Sequence, residues 1–157
     1  MRQADSGWCE EELAGLELPD GRMRQRAIDS LKRLSDQPSA SIPEASGDWA
    51  ATKGTYGLFA HKTVTHGVLL AAHREQTIER MQAYDLVRVV QDSSYVELTH
   101  YQSIEGVGPI GTEKQNVRGL VMHSGIALTE LGMNLGTVHQ SVWARPEPSE
   151  PLSEKER

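Results

Sequence analysis

The 157-residue sequence has little cysteine, no long apolar run and no secretory signal. Its one cysteine, Cys9, excludes an internal disulfide bond and a zinc site built on cysteines. No window approaches the ~20 consecutive apolar residues that a membrane span needs. The first residues also lack the apolar stretch of a secretory signal. These absences predict a soluble protein of a reducing compartment, which we expect to be cytoplasmic and without a membrane partner.

The sequence also has fewer basic than acidic residues. It contains 16 Lys and Arg residues and 22 Asp and Glu residues, so its formal net charge is -6. A net-negative protein is repelled by phosphate at long range. The charge therefore excludes a general coating of nucleic acid, and any DNA contact must be local. Hydrophobic residues make up 38% of the chain, which allows a modest core in one ordinary domain or two small ones.

The first half of the chain carries repeated helix-start signals. After a short acidic helix that begins at Trp8, capping residues precede four further segments with apolar residues at helical spacing. These caps are Asp20, Ser41, Asp48 and Thr65.

Apolar and aromatic residues recur at helical steps in two of these helices. Met23, Ala27, Leu31 and Leu34 form one apolar stripe after Asp20. After Asp48, Trp49, Thr52, Tyr56 and Phe59 recur at near-helical steps, but Gly54 and Gly57 weaken this helix, so we expect packing to hold it.

Beyond Tyr84 the pattern changes to that of strands. Strands are predicted at residues 86–90, 95–99, 119–128 and 135–143, with a hairpin loop at 130–134. Short connections favour an antiparallel meander. The predicted fold is therefore α+β, with a helical N-terminal domain over residues 1–84 and a sheet over 85–145. A Pro- and Glu-rich tail at 146–157 is expected to be disordered.

Five of the sixteen Lys and Arg residues fall within twelve positions of the helix after Asp20. They are Arg22, Arg24, Arg26, Lys32 and Arg33. Such a face can lie along a phosphate backbone or enter a major groove, and the alternative is a solvated helix face. Lys53, in the next helical segment, can extend the same patch.

The valine-rich run before Asp92 predicts a strand with one buried face. The acidic Asp92 ends this strand pattern and is followed by Ser93 and Ser94. A carboxylate at the edge of a sheet is a common metal ligand, while the alternative is a turn residue. The sequence alone leaves both interpretations open.

Other site patterns are weaker. The string GVGPIG at residues 106–111 matches a dinucleotide fingerprint, but Pro109 and the strand pattern that follows predict a loop instead. No two histidines are spaced for a helical zinc site, although His123 and His139 lie in neighbouring predicted strands. Ser124 lacks the surrounding motif of a serine nucleophile.

Several segments occur in an order that is similar to that of a known family. The first half contains WCEEEL at residues 8–13, LPDGR at 18–22, SIPEA at 41–45 and WAATK at 49–53. The second half contains VVQDSS at residues 89–94, GVGPIG at 106–111, GLVMHS at 119–124 and HQSVWAR at 139–145. Together they resemble insertion-sequence transposases of the transposon Tn-five type over roughly residues 8–145.

The resemblance implies cut-and-paste DNA transposition by a DDE enzyme, with a helical DNA-binding domain before an RNase H-like core. In that chemistry three carboxylates hold two magnesium ions. Asp92 would be the first of these acids and a Mg²⁺ ligand. The double-stranded terminal inverted repeat would be bound by Arg22, Arg26, Arg33 and Lys53. One departure is Gly57, which stands where many relatives carry a basic residue.

The second and third carboxylates of the family do not follow within the sequence. We therefore expect an N-terminal fragment that binds transposon-end DNA, is inactive alone and holds no metal by itself. Two alternatives stay open. The chain can be an interaction module whose exposed sheet edge docks on and inhibits full-length transposase, or pairs with a complementary C-terminal fragment. It can also be a non-functional gene remnant.

Overall fold

The computed structural model describes residues 7–101, 103–111 and 116–147. Within these ranges the chain forms five helices and four strands, which confirms the mixed fold with an antiparallel sheet. The helices are α1 Trp8–Glu12, α2 Gly21–Asp36, α3 Ile42–Ser46, α4 Trp49–Phe59 and α5 His66–Met81. The strands are β1 Val87–Glu97, β2 Gly108–Pro109, β3 Arg118–Thr129 and β4 Asn134–Trp143. Most of the predicted tail, from residue 148 on, lies outside the described residues.

Helices α2 to α5 begin at the four predicted capping residues. Asp20 accepts a hydrogen bond from the Met23 amide at 2.8 Å, and Asp48 accepts one from the Ala51 amide at the same distance. The side chains of Ser41 and Thr65 cap α3 and α5 in the same way. Each cap satisfies an amide that the first turn leaves without a helical partner. Among the described helices, none is long and apolar enough to cross a membrane.

The chain divides into two compact units. The first contains residues up to Arg88 together with Ala127–Val138, and the second contains Val89–Ile126 and the residues from His139 on. In the first unit the helices enclose an apolar core. Its buried members include Cys9, Leu13, Leu16, Ala27, Ile28, Leu58, Val64 and Ala72.

The sheet is organised around β3, which is hydrogen-bonded to β1, β2 and β4. β2 runs antiparallel to β3, with Gly108 opposite Gly119. On the side of β1, the Leu98 amide donates to the Arg118 carbonyl at 2.8 Å. β1 thus lies at the edge of the sheet among the described strands.

The strand prediction around Asp92 was wrong in two respects. Residues 86–90 and 95–99 were expected to form two strands, but Val87–Glu97 is one strand of 11 residues, so Asp92 lies in its middle and not at its end. The valine run was also expected to bury one face, yet Val89 and Val90 are 45% and 52% exposed. Both faces of β1 are exposed to solvent. Its polar side chains therefore stay hydrated, and they do not end the strand.

Helix α4 packs through two threonines and a leucine. Thr52, Thr55 and Leu58 are the buried residues of this helix, whereas Trp49 is 78% exposed and Tyr56 is 51% exposed. Small residues let the neighbouring helix approach, and the buried hydroxyls find hydrogen-bond partners. The aromatic side chains are consequently turned outward.

Candidate nucleic-acid interface

The α2 and α4 helices enclose a cleft of about 360 Å³ in the first unit. Three of the four predicted DNA-binding residues line it, namely Arg22, Arg26 and Arg33 of α2. They share one side of α2 because their spacings of four and seven residues match the helical repeat. The opposite wall is made by the small residues Ala50, Ala51 and Gly54 of α4.

Two contacts hold the walls of the cleft together. Ser30 of α2 and Thr55 of α4 are buried, and their hydroxyl groups form a hydrogen bond of 2.9 Å. Farther out, a Cβ placed on Gly54 would lie 3.5 Å from Nε of Arg26 and 3.7 Å from its Cδ. The Arg26 side chain therefore lies along the backbone of α4 at its glycine.

The charge of the cleft is positive. Within the described part of the chain, Arg22, Arg26 and Arg33 form no ion pair or side-chain hydrogen bond. One carboxylate, that of Asp29, shares the lining, and its Oδ1 accepts a hydrogen bond from Gln25 at 3.0 Å. Three guanidinium groups against one carboxylate give a local cationic site on a chain whose net charge is negative.

The remaining basic residues of the sequence pattern do not line the cleft. Arg24 donates from Nη2 to the Leu13 carbonyl at 3.2 Å and so ties α2 to the end of α1. Lys32 is exposed and lies outside the lining. Lys53 lies on the outer side of α4. Trp49, four residues before it, and Tyr56, three residues after it, share this face.

Of the outer face of α4 the sequence predicted only Lys53 as a site residue, and it did not predict the exposed aromatic residues beside it or the small-residue wall. The signal was present, because residues 49, 53 and 56 follow the i, i+4, i+7 spacing of one helix face. The sequence does not show which side of α4 is buried, and large aromatic residues are not typical of an exposed face. The threonines at positions 52 and 55 occupy the buried side instead.

Asp92 lies exposed in the middle of β1, where one of its carboxylate oxygens accepts a hydrogen bond from the Ser93 amide at 2.8 Å. Within residues 7–101, 103–111 and 116–147, no three His, Cys, Asp or Glu side chains are grouped as a metal ion would require. A magnesium ion needs several oxygen ligands. The described residues therefore do not fit the two-ion site that the resemblance implies for Asp92.

The two histidines of neighbouring strands do approach each other, with 6.2 Å between the ring centroids of His123 and His139. His123 is bonded on both sides, by Ser93 at 2.9 Å and by Gln91 at 3.2 Å. His139 contacts the Ser141 hydroxyl at 3.0 Å. These hydrogen bonds hold both imidazole rings on the sheet.

The half-buried carboxylate of Glu12 is the centre of a polar cluster in the first unit. Both carboxylate oxygens accept hydrogen bonds from Arg80, at 2.7 and 3.2 Å, and one also contacts Nδ1 of His73. Burial raises the pKa of the Glu12 carboxyl, but the Arg80 hydrogen bonds and charge, with those of His73, outweigh it and hold the pKa below its ordinary value. Glu12 is therefore ionised at neutral pH.

The same cluster continues to the start of β4. The Thr137 amide donates to Nε2 of His73 at 2.8 Å, and Nε of Arg80 donates to the Leu135 carbonyl at 2.6 Å. Close packing here requires a residue without a side chain, since a Cβ on Gly136 would lie 2.1 Å from the Thr77 hydroxyl. Gly136 also has a φ of 136°, which glycine adopts without strain. The cluster fixes α1 and β4 to α5.

Comparison with known protein families gives a match at the N-terminus. Residues 5–64 match the family model described as transposase DNA-binding. The matched segment contains the cleft, including Arg22, Arg26, Arg33 and the α4 residue Lys53, and it ends before Asp92. The N-terminal segment of this chain is therefore similar to the DNA-binding domain of transposases.

Proposed function

We propose that this chain binds the double-stranded terminal inverted repeat of a transposon through the cleft between α2 and α4. The observation that supports this most directly is the set of three arginines without carboxylate partners in one cleft of the matched segment. Guanidinium groups bind phosphate by paired hydrogen bonds and charge. The small wall of Ala50, Ala51 and Gly54 leaves room for a phosphate backbone.

In this proposal the cleft between α2 and α4 and the outer face of α4 make different contacts with DNA. Phosphate contacts fix the position of a protein on DNA, while sequence is recognised at base edges. The arginines of α2 would hold the backbone. Lys53, between the exposed Trp49 and Tyr56, would meet base edges, since a lysine can donate to guanine and apolar groups contact the thymine methyl.

A competition mobility-shift assay at moderate salt tests this function. The labelled duplex carries the transposon end, and the competitors are the same unlabelled duplex and a duplex of scrambled sequence. We expect the specific duplex to compete at a concentration at least tenfold lower. Equal competition by the two duplexes would contradict recognition of the terminal repeat, and absence of any shift would contradict DNA binding altogether.

The DDE chemistry is a separate part of the proposal. In it β1 begins an RNase H-like core of a DDE transposase of the Tn-five type, and Asp92 is a Mg²⁺ ligand that acts only with carboxylates beyond the described residues. Magnesium, where such a site is complete, supplies activation of the attacking oxygen in phosphodiester chemistry, and Asp92 is the residue of this chain that would help to hold it. We expect no strand cleavage by the chain alone in magnesium or manganese, and cleavage by the purified chain would overturn this expectation.

A second candidate function is protein interaction through the edge of the sheet. The observation that favours it is β1, whose residues from Arg88 to Glu97 are all exposed. An edge strand carries backbone groups that can pair with another strand. Docking on full-length transposase, or on a complementary C-terminal fragment, belongs to this second candidate.

A further inference from the structure

The side chain of His73 has a different partner on each of its ring nitrogens. Nδ1 contacts a carboxylate oxygen of Glu12 in α1, and Nε2 accepts a hydrogen bond from the Thr137 amide in β4 at 2.8 Å. A backbone amide can only donate, so Nε2 is the nitrogen without a proton. The ionised carboxylate of Glu12 can only accept, so the proton of the ring lies on Nδ1. The two contacts together require a neutral imidazole in one tautomer.

The charged groups that face His73 within the described residues are Glu12 of α1 and Arg80 of α5. Arg80 donates to both oxygens of the Glu12 carboxylate, so these two charges are already paired with each other. β4 contributes the uncharged Thr137 amide. On the side of α2 and α4, the cavity that His73 borders is lined by the uncharged residues Ala27, Ser30, Leu31, Leu34, Leu58 and Phe59.

Helix α5 binds two neighbouring backbone groups at the start of β4. Nε of Arg80 donates to the Leu135 carbonyl at 2.6 Å, and Nε2 of His73 accepts from the Thr137 amide. Positions 135 and 137 are two residues apart in a strand, so their backbone groups point to the same side. α5 thus supplies a donor for the carbonyl and an acceptor for the amide. Arg80 keeps its charge at any pH that the protein meets, so His73 is the member of this pair that a proton can change.

A second proton on His73 changes one of its two contacts and keeps the other. The imidazolium donates from both nitrogens, so Nδ1 still donates to the Glu12 carboxylate, now with opposite charge. At Nε2 the new N–H and the Thr137 amide are both donors, and the hydrogen bond between them is lost. The Thr77 hydroxyl oxygen lies 3.4 Å from Nε2 and can accept the new N–H. The charged ring therefore has its own partners and leaves the Thr137 amide without one.

We propose that His73 makes the attachment of β4 to α5 sensitive to pH. With a neutral His73, α5 binds the start of β4 at both Leu135 and Thr137. With a charged His73, the contact at Thr137 opens while α1 stays attached through Glu12. The proposal concerns only these contacts of the first unit and does not depend on DNA binding, so either can fail without the other.

Amide hydrogen exchange followed by NMR tests the proposal at about pH 8 and about pH 5, the range in which histidine changes its charge. The Glu12 carboxyl stays ionised at both values, because its pKa lies below its ordinary value of 4.5. The measured quantity is the protection factor of the Thr137 amide, corrected for the pH dependence of intrinsic exchange. We expect this factor to fall at least tenfold from pH 8 to pH 5. The nitrogen chemical shifts of the His73 ring at pH 8 should show its proton on Nδ1.

His73→Gln separates the effect of the proton from the effect of packing. A glutamine offers an oxygen to the Thr137 amide and an NH₂ group to Glu12, and it takes up no proton. We expect its Thr137 protection factor to change less than threefold between the two pH values. His100→Gln is the matched control, because it removes an exposed histidine outside the Glu12 cluster. This control should keep the tenfold fall.

Four outcomes would overturn the proposal. They are a proton on Nε2 of the neutral His73 ring, an unchanged Thr137 protection factor in the original protein, the same tenfold fall in His73→Gln, and a loss of protection at pH 5 along all of α5 as well as at Thr137. The last outcome would show general unfolding in acid. The nitrogen shifts need no variant, so they test the proposal even if His73→Gln does not fold.

Discussion

The hydroxyl groups of Ser30 and Thr55 lie 2.9 Å apart and join α2 to α4 in the interior of the first unit. The two residues are 3% and 1% exposed. Ser30 also borders the cleft that contains the arginines. The bond therefore holds the basic wall of the candidate DNA site against the small-residue wall, and it links the stability of the domain to the shape of the site.

Removing both partners of this bond should destabilise the protein by less than the two single removals added together. Ser30→Ala or Thr55→Val leaves a buried hydroxyl unpaired, which costs about 1–3 kcal/mol. The double variant should cost less than the sum of the two single variants, because neither hydroxyl remains. Urea unfolding measures the three free energies.

Ser35→Ala is the control for this cycle, because Ser35 is exposed and its hydroxyl donates to the Lys32 carbonyl. Such a surface change is expected to stay within about 0.5 kcal/mol. Single variants no less stable than Ser35→Ala would show that the Ser30–Thr55 bond contributes nothing.

Gly57→Arg should strengthen DNA binding. Gly57 is exposed on α4 and a Cβ there would meet nothing within 4 Å, so an arginine fits. A cation near the DNA adds about 0.9 to the magnitude of the salt slope for each phosphate contact. Fluorescence anisotropy with the transposon-end duplex at several salt concentrations measures this slope.

Gly57→Ala is the matched control, because both changes replace a helical glycine and stabilise α4 by up to about 1 kcal/mol. The alanine variant should keep the original salt slope. An equal slope for the arginine and alanine variants would place position 57 away from the DNA.

The Glu12 cluster predicts a pH-dependent stability. The native pKa of Glu12 lies below its ordinary value of 4.5, so the unfolded chain binds this proton more readily than the native protein. The stabilisation by Glu12 is therefore complete above the unfolded pKa and is lost as pH falls through the native pKa. Glu12→Gln should cost about 1–3 kcal/mol at pH 7, where the carboxylate is hydrogen-bonded to Arg80.

Urea unfolding of the original protein and Glu12→Gln at pH 7 and at decreasing pH below 4.5 checks this. The difference between the two free energies should shrink as pH falls. Glu79→Gln, the same change at an exposed position of α5, should stay within about 0.5 kcal/mol. A difference for Glu12→Gln that is constant with pH would contradict the lowered pKa.

Local signals in the sequence were sufficient for the helices. Asp20 and Asp48 cap helices where the sequence predicted, because a capping side chain acts within three residues of itself. The strands of the hairpin, β3 and β4, were also predicted within one residue or two. β1 was divided in two because Asp92 and the serines after it are poor strand formers, and their tolerance depends on solvent exposure that neighbouring residues do not reveal.

The candidate site was predictable to the extent that it lies on one helix. Arg22, Arg26 and Arg33 share a face of α2 by helical periodicity alone. The outward turn of Trp49 depends on which side of α4 packs against α2, which is a tertiary choice. Glu12 and Arg80 are 68 residues apart, so no local pattern could have paired them.

Val87, Ile126 and Val138 are partly exposed, and Val89 is 45% exposed. Poor solubility remains a prediction that binding of an apolar dye can test.

The central claim is that the arginines of the α2–α4 cleft bind DNA phosphate. Its most direct test is the salt dependence of transposon-end binding for the double variant Arg26→Ala and Arg33→Ala. The matched control is Lys32→Ala with Arg74→Ala, which removes two exposed positive charges outside the cleft. Loss of two phosphate contacts should lower the slope of log K against log salt by about 1.8, whereas the control should keep the original slope. Equal slopes for the two double variants would contradict the claim.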